Sequence, residues 1–126
     1  MAETKKIILV VDDEEECRAL LKTALERRGF GVVVAKSVKT AFQVINGAVL
    51  NLIITDLEMP DKNGLEMVRE VRNHSDSRVK ETPIIMLTGA DEKIHRPVAE
   101  AAGVNLYCSK PVNLAKFIEE AEKHMR

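Results

Sequence analysis

The sequence has almost no net charge and no long apolar run. Its formal net charge is -1, which argues against a nucleic-acid binder that depends on a strong basic field. No apolar stretch approaches the roughly 20 residues that cross a bilayer. The apolar stretch Ile7–Val11, after the charged residues 1–6, is too short for a signal peptide. We therefore expect a cytoplasmic protein that contacts neither nucleic acid nor membrane directly.

Cysteine and histidine are also scarce. Cys17 and Cys108 lie far apart and form no Cys-x-x-Cys motif and no cluster with histidine. This pattern predicts two reduced, partly buried thiols. The three histidines, His74, His95 and His124, stand among polar residues, which indicates surface positions and not metal ligands.

The remaining composition is that of an ordinary globular domain. Of the 126 residues, 45% are apolar and 31% are charged. This length suits one domain and is sufficient for a sizeable core without disulfides. No internal repeat or low-complexity tract divides the chain, so residues 1–126 are predicted to form a single domain.

Five short apolar runs alternate with segments of helical periodicity. The runs cover residues 7–11, 31–35, 52–55, 84–87 and 104–108. The first, third and fourth show no polar alternation, which is typical of strands buried on both faces of a parallel sheet.

Five helices are predicted between and after these runs, each with an apolar stripe. Residues 73–82 are polar and are predicted to be an exposed connection. Pro97 fits easily only in a first turn, so the fourth helix should start late or be short. The stripes or bounds are Cys17, Leu20, Leu21, Ala24 and Leu25; Val38, Ala41, Phe42 and Ile45 after the cap Ser37; Met67, Val68 and Val71; residues 94–102 before Gly103; and Leu114, Phe117, Ile118 and Ala121 after the cap Asn113.

Strands that alternate with helices predict an α/β fold of right-handed β-α-β units. The arrangement is a three-layer, doubly wound (βα)5 domain with a five-stranded parallel sheet. Sheets of this kind bind ligands at the carboxyl ends of their strands. The residues that follow each predicted strand are therefore the first candidates for a functional site.

Charged and hydroxyl residues follow four of the predicted strands. The first ends in Asp12 and Asp13, the third in Asp56, the fourth in Thr88, and Lys110 follows the fifth. One such aspartate alone is more often a helix cap, but together they place three carboxylates and an ammonium at one edge. Clustered carboxylates repel one another and attract cations, and Mg²⁺ is the natural candidate. A carboxylate that is positioned and whose charge is compensated by cations is a competent nucleophile for phosphoryl transfer.

These residues resemble the receiver domain of bacterial two-component response regulators, in the stand-alone, CheY-like form. The resemblance covers nearly the whole chain, from about residue 5 to residue 125. It implies a flavodoxin-like strand order of 2-1-3-4-5. It rests on the stretches Val11-Asp12-Asp13-Glu14, Asp56-Leu57-Glu58-Met59-Pro60-Asp61-Lys62-Asn63-Gly64, Leu87-Thr88-Gly89-Ala90 and Tyr107-Cys108-Ser109-Lys110-Pro111.

The resemblance also implies a role for each site residue. A histidine kinase or phosphotransfer protein would donate a phosphoryl group to Asp56 in a Mg²⁺-dependent reaction. Such a protein is a phosphoprotein switch that acts on a downstream protein target, and it is not an enzyme beyond its own phosphorylation and dephosphorylation. The implied roles are metal binding by Asp12, Asp13, Asp56 and the backbone carbonyl of Glu58, phosphoryl contacts by Thr88 and Lys110, a switch formed by Thr88 and Tyr107, and a cis peptide between Lys110 and Pro111.

Some positions leave the behaviour of the switch open. Glu58 and Ala90 occupy positions that modulate hydrolysis of the aspartyl phosphate in this family, so the lifetime of the phosphate does not follow from the sequence. Pro97 puts in doubt the usual shape of the face formed by the fourth helix, fifth strand and fifth helix. A monomer or a weak dimer through that face fits the sequence equally well.

Two other functions are compatible with parts of the pattern. A receiver-like binding module would keep the fold and signal without phosphate, but the complete set of Asp12, Asp13, Asp56, Thr88 and Lys110 argues against it. A metal-dependent phosphatase with an aspartyl nucleophile usually carries that nucleophile after the first strand, with a second aspartate two residues later. Here the loop motif follows the third predicted strand instead.

Overall fold

The computed structural model describes residues 5–126, and its centre is one parallel sheet. The strand order is β2-β1-β3-β4-β5, which is the order that the resemblance implied. Residues 1–4, which bear on the predicted absence of a signal peptide, lie outside the described range. The strands are β1 (Ile7–Val11), β2 (Gly31–Ala35), β3 (Leu52–Thr55), β4 (Ile84–Thr88) and β5 (Leu106–Ser109).

In the described part of the chain, six helices accompany the sheet, one more than predicted. Within residues 5–126, none of them is long and apolar enough to span a membrane. Ser37 and Asn113 cap their helices as predicted, since their side chains accept hydrogen bonds from the amides of Thr40 and Lys116. The helices are α1 (Glu15–Arg27), α2 (Val38–Ile45), α3 (Gly64–Arg72), α4 (Ser77–Lys80), α5 (Glu92–Ala102) and α6 (Leu114–His124).

The additional helix α4 corrects the prediction of an exposed connection over residues 73–82. The Arg72 guanidinium, at the end of α3, donates to the carbonyls of Lys80 and Thr82 at 2.7 Å and of Gly103 at 2.9 Å. Thr82 is only 3% exposed. The segment is therefore held against α3 and the start of β5, because one long side chain satisfies several of its carbonyls.

Three further predictions need correction. The fourth predicted helix, α5, starts at Glu92, earlier than expected, and contains Pro97 in its interior. The Asp91 carboxylate caps its first turn by accepting from the Lys93 amide. Strand β5 starts two residues later than predicted, because after the left-handed Gly103 (φ 117°) the Val104 amide still donates to the Ala99 carbonyl and closes the end of α5. Leu20 is 58% exposed, because it lies at the margin of the apolar stripe of α1.

Two apolar cores cover the two faces of the sheet. Successive strand residues alternate between them: Leu9 and Ile53 pack on the side of α2, α3 and α5, whereas Ile8 and Ile54 pack on the side of α1 and α6. This arrangement is the predicted three-layer fold. It leaves the carboxyl ends of β1, β3, β4 and β5 together at one edge.

Gly64 allows α3 to begin directly against the end of β3. A Cβ atom at this position would overlap the Asp56 carbonyl oxygen and lie 3.0 Å from the Leu57 Cα. The Gly64 amide donates to the Leu57 carbonyl at 2.6 Å. Because the obstructing atoms are backbone, a larger residue must displace the loop that carries Asp56.

Replacing Gly64 by alanine is predicted to lower the free energy of unfolding by about 2 kcal/mol, since overpacking against backbone forces the loop to move. Urea denaturation followed by circular dichroism measures the loss. Gly47→Ala is the matched control, because its Cβ would meet the Gln43 carbonyl oxygen at an ordinary 3.5 Å. Equal stability of the two variants would contradict the close approach at Gly64.

Candidate functional site at the carboxyl edge of the sheet

Asp12 and Asp56 lie at the ends of the neighbouring central strands β1 and β3. The Asp56 amide donates to the Val11 carbonyl at 2.9 Å, which fixes the two strand ends side by side. Both carboxylates are nearly buried, with Asp12 3% and Asp56 7% exposed, whereas Asp13 is exposed. Burial of two like charges requires a counter-charge close by.

Lys110 supplies that counter-charge from the end of β5. Its Nζ lies 2.8 Å from Asp12 Oδ2, 2.9 Å from Asp56 Oδ2 and 3.6 Å from Glu14 Oε1. Partial burial disfavours the ammonium, but the hydrogen bonds that it donates to Asp12 and Asp56 outweigh this effect and raise the pKa of Lys110. The Lys110 amide donates to the Thr88 carbonyl at 2.8 Å, and the Lys110–Pro111 peptide is cis. The lysine is therefore charged at neutral pH and held between the two buried carboxylates.

The other oxygen of Asp56 is fixed by the loop that follows it. Asp56 Oδ1 accepts from the Leu57 amide at 2.6 Å and from the Glu58 amide at 3.3 Å. With Lys110 on Oδ2, the carboxylate is oriented on both sides.

Four carboxylates converge on this edge. Within residues 5–126, oxygens of Asp12, Asp13, Glu14 and Asp56 lie within 4.8 Å of one another. Three of them, Asp13, Glu14 and Asp56, border a cleft of about 420 Å³ that Thr88, Glu58 and Lys110 also line. A group of hard oxygen donors with one lysine fits a small divalent cation such as Mg²⁺. Sequence reasoning placed three of these carboxylates in the site and missed the side chain of Glu14.

Thr88 connects the cleft to Tyr107. Thr88 is buried, and its Oγ1 accepts from the Ala90 amide at 3.2 Å. The hydroxyl of Tyr107 donates to the Ala90 carbonyl at 3.3 Å, and the residue is 2% exposed. Burial and the nearby carboxylates of Glu92 and Asp91 raise the pKa of Tyr107. In this structure the ring of the predicted switch residue is turned inward.

Arg96 on α5 lies against the outer side of that ring, a contact that no sequence pattern indicated. Its guanidinium lies 6.0 Å from the centroid of the Tyr107 ring and donates to the Tyr107 carbonyl at 3.4 Å. Glu92 orients it through a 2.7 Å ion pair. The contact is a cation–π interaction, so α5 and β5 are connected at the buried tyrosine.

The thiols and imidazoles contribute less to the site. Within residues 5–126 both cysteines are free and half-buried, as predicted. Cys17 lies beside the site, where burial and a hydrogen bond with Asp12 raise its pKa to about 11. His74, His95 and His124 are half-buried, less exposed than predicted. None of the three joins the candidate metal ligands of the described chain.

The fold and this edge define a class: flavodoxin-like α/β domains with an acidic cleft and a lysine at the carboxyl ends of the strands. The chain belongs to the family of response regulator receiver domains, whose model matches residues 8–122. These are the receiver domains of two-component signalling systems. The sequence resemblance is thereby confirmed at the level of the family.

Individual relatives are of two kinds. The chemotaxis protein CheY1 of Helicobacter pylori is 42% identical over 117 residues, which are 91% of this chain and 93% of that protein. The transcriptional regulatory protein CpxR of Klebsiella pneumoniae is 36% identical over 94% of this chain, which spans only 49% of CpxR. The solved structure of the chemotaxis response regulator CheY4 of Vibrio cholerae has a TM-score of 0.86 at 29% identity, covering 95% of this chain and 98% of that one.

Lys110→Met is predicted to lower the free energy of unfolding by about 3 kcal/mol in the absence of divalent cations, because two buried carboxylates lose their counter-charge. The pKa of Lys110 is raised. The stability that Lys110 contributes to the unsubstituted protein is therefore complete below the ordinary lysine pKa, and it is lost only as the pH rises through the raised value. Urea denaturation at a series of pH values, from neutral to above the ordinary lysine pKa, measures both the loss and its pH dependence. Lys62→Met, which breaks the exposed 2.7 Å pair with Glu70, is the control and should cost far less.

Arg96→Ala is predicted to increase the access of solvent to the Tyr107 ring, because the guanidinium no longer covers it. The chain has one tyrosine and no tryptophan, so acrylamide quenching of the intrinsic fluorescence reports on this ring alone. Arg69→Ala on the exposed side of α3 is the control. An unchanged quenching constant in Arg96→Ala would show that the ring stays buried without the arginine.

Proposed function

We propose that this receiver domain accepts a phosphoryl group on Asp56 and uses it to switch contacts with other proteins. The observation that carries the proposal is the position of Lys110 Nζ, 2.9 Å from Asp56 Oδ2 and 2.8 Å from Asp12 Oδ2. A nucleophilic carboxylate needs orientation and charge compensation, and both are supplied here by groups that also suit a phosphoryl group. The donor would be a phosphohistidine of a sensor kinase or phosphotransfer protein.

In this reaction an Asp56 carboxylate oxygen attacks phosphorus while the bond between phosphorus and the donor imidazole breaks. The donor ring, protonated on its other nitrogen, leaves as a neutral imidazole, and Asp56 becomes an acyl phosphate. Lys110 moves from the carboxylates to the new phosphoryl oxygens, and the Thr88 hydroxyl donates to them. Phosphoryl transfer asks mainly for such positioning and charge stabilisation, so the protein need not catalyse any reaction beyond its own modification and its reversal.

The same edge suits a Mg²⁺ ion. Asp12, Asp13, Asp56 and the Glu58 backbone carbonyl would hold it, since carboxylate and carbonyl oxygens are its preferred protein ligands. When bound, the ion neutralises negative charge on the transferred phosphoryl group. Three of these residues bring carboxylate oxygens within 4.8 Å of one another, which supports the assignment.

The output would be a change in protein contacts near α5, β5 and α6. When Thr88 turns towards the phosphoryl group, its hydrogen bond from the Ala90 amide at 3.2 Å must change. Ala90 also accepts the Tyr107 hydroxyl, so the change reaches the buried ring. A downstream protein that binds one position of the Tyr107 ring better than the other would then respond to the phosphorylation. A cytoplasmic location, where such kinases present their phosphohistidine, fits this role.

Incubation with Mg²⁺ and a small acyl phosphate tests the proposal. Intact-mass spectrometry is expected to show one added phosphoryl group, lost in Asp56→Asn and retained in Asp76→Asn at the opposite edge of the sheet. Absence of an adduct, together with no binding of beryllofluoride, would instead indicate a binding module that signals without phosphate. Continuous turnover of phosphate esters would indicate a phosphatase.

A further inference from the structure

Glu14 is an exposed member of the acidic group, and its side chain does not cap the helix that it precedes. It precedes α1 at the N-cap position, but within the described chain its side chain makes no capping hydrogen bond. Its backbone amide, not its carboxylate, orients Asp12 by donating to Oδ1 at 2.9 Å. The side chain is 68% exposed and free to turn.

The Glu14 carboxylate nevertheless points into the cleft. An oxygen of Glu14 lies within 4.8 Å of oxygens from Asp12, Asp13 and Asp56, and another contact places Oε1 3.6 Å from Lys110 Nζ. The positive charge of the Lys110 ammonium is therefore shared by three carboxylates, those of Asp12, Glu14 and Asp56. Glu58, whose backbone carbonyl is the implied metal ligand, lines the same cleft, but its carboxylate is not part of that group among residues 5–126.

We propose that Glu14 is a fourth carboxylate of the cation site and determines how tightly this domain binds a divalent ion. The inference rests on the proposed function, because it assumes that Asp12, Asp13 and Asp56 bind that ion. Opposite ligands around Mg²⁺ are about 4.2 Å apart, twice its metal–oxygen distance. A flexible carboxylate already within 4.8 Å of the other three needs only a small movement to complete the set.

A fourth carboxylate also changes the balance with Lys110. Once a divalent ion satisfies Glu14, the ammonium loses one of its three acidic partners and is easier to transfer to a phosphoryl group. Glu14 therefore couples cation binding to the release of the lysine. The exposed carboxylate acts partly through water, so its effect on affinity is moderate.

Glu14→Gln is expected to raise the dissociation constant for Mg²⁺ about fivefold, the factor that corresponds to a moderate pair interaction. Calorimetric titration of the unphosphorylated, full chain with magnesium chloride measures it without any phosphoryl donor. Glu15→Gln and Glu16→Gln are matched controls: each removes the same charge from the first turn of α1, and both are exposed. Each control should change the constant less than twofold.

The outcomes separate this inference from the proposed function. If Glu14→Gln matches the two controls while Asp13→Asn loses binding, Glu14 is not a ligand and the cation site stands without it. If the unsubstituted chain binds no Mg²⁺, both the inference and the proposed cation site are overturned. A loss confined to Glu14→Gln, with the phosphoryl adduct on Asp56 still formed at high Mg²⁺, supports the inference.

Discussion

The repulsion among carboxylates at one end of the sheet is the constraint on which this structure depends. Parallel strands direct their carboxyl ends to one edge, and here that edge carries Asp12, Asp13, Glu14 and Asp56. At an effective dielectric of ~20, two such charges ~4 Å apart cost roughly 4 kcal/mol. One lysine offsets part of this cost, since Lys110 contacts Asp12 and Asp56 below 3 Å. Because negative charge remains, this edge attracts cations. Its electrostatic balance also changes when Lys110 is transferred to another anion.

The loop after β3 is anchored at both ends, so that the charged edge keeps its shape. Gly64 lies against the Asp56 backbone. Asp61 accepts from the amides of Val38 and Lys39 at 3.1 and 2.9 Å, which ties the loop to the start of α2. Leu57 and Glu58 lie between Asp56 and these anchors, and their amides donate to Asp56 Oδ1. A second carboxylate, outside the cluster, thus helps to position the first.

The sequence predicted the parts of this arrangement that depend on the backbone. Continuous apolar runs locate buried strands, and the residue after each run must lie at the carboxyl edge, so Asp56, Thr88 and Lys110 could be assigned to one site. Contacts that depend on helix phase or side-chain reach were not predictable. Arg96 meets Tyr107 only because α5 begins at Glu92 and continues through Pro97. Leu20 lies at the margin of its stripe and is exposed, although periodicity grouped it with Leu21 and Leu25.

A short chain of hydrogen bonds connects the charged edge to the buried tyrosine. The Lys110 amide donates to the Thr88 carbonyl, the Ala90 amide to Thr88 Oγ1, and the Tyr107 hydroxyl to the Ala90 carbonyl. A neutral hydrogen bond contributes about 1 kcal/mol, so exchange of one or two of them alters a two-state population roughly tenfold. Ala90 has only a methyl side chain. Its amide is bonded to Thr88, and its carbonyl is bonded to Tyr107. The backbone of this single residue therefore connects Thr88 Oγ1 to the Tyr107 hydroxyl.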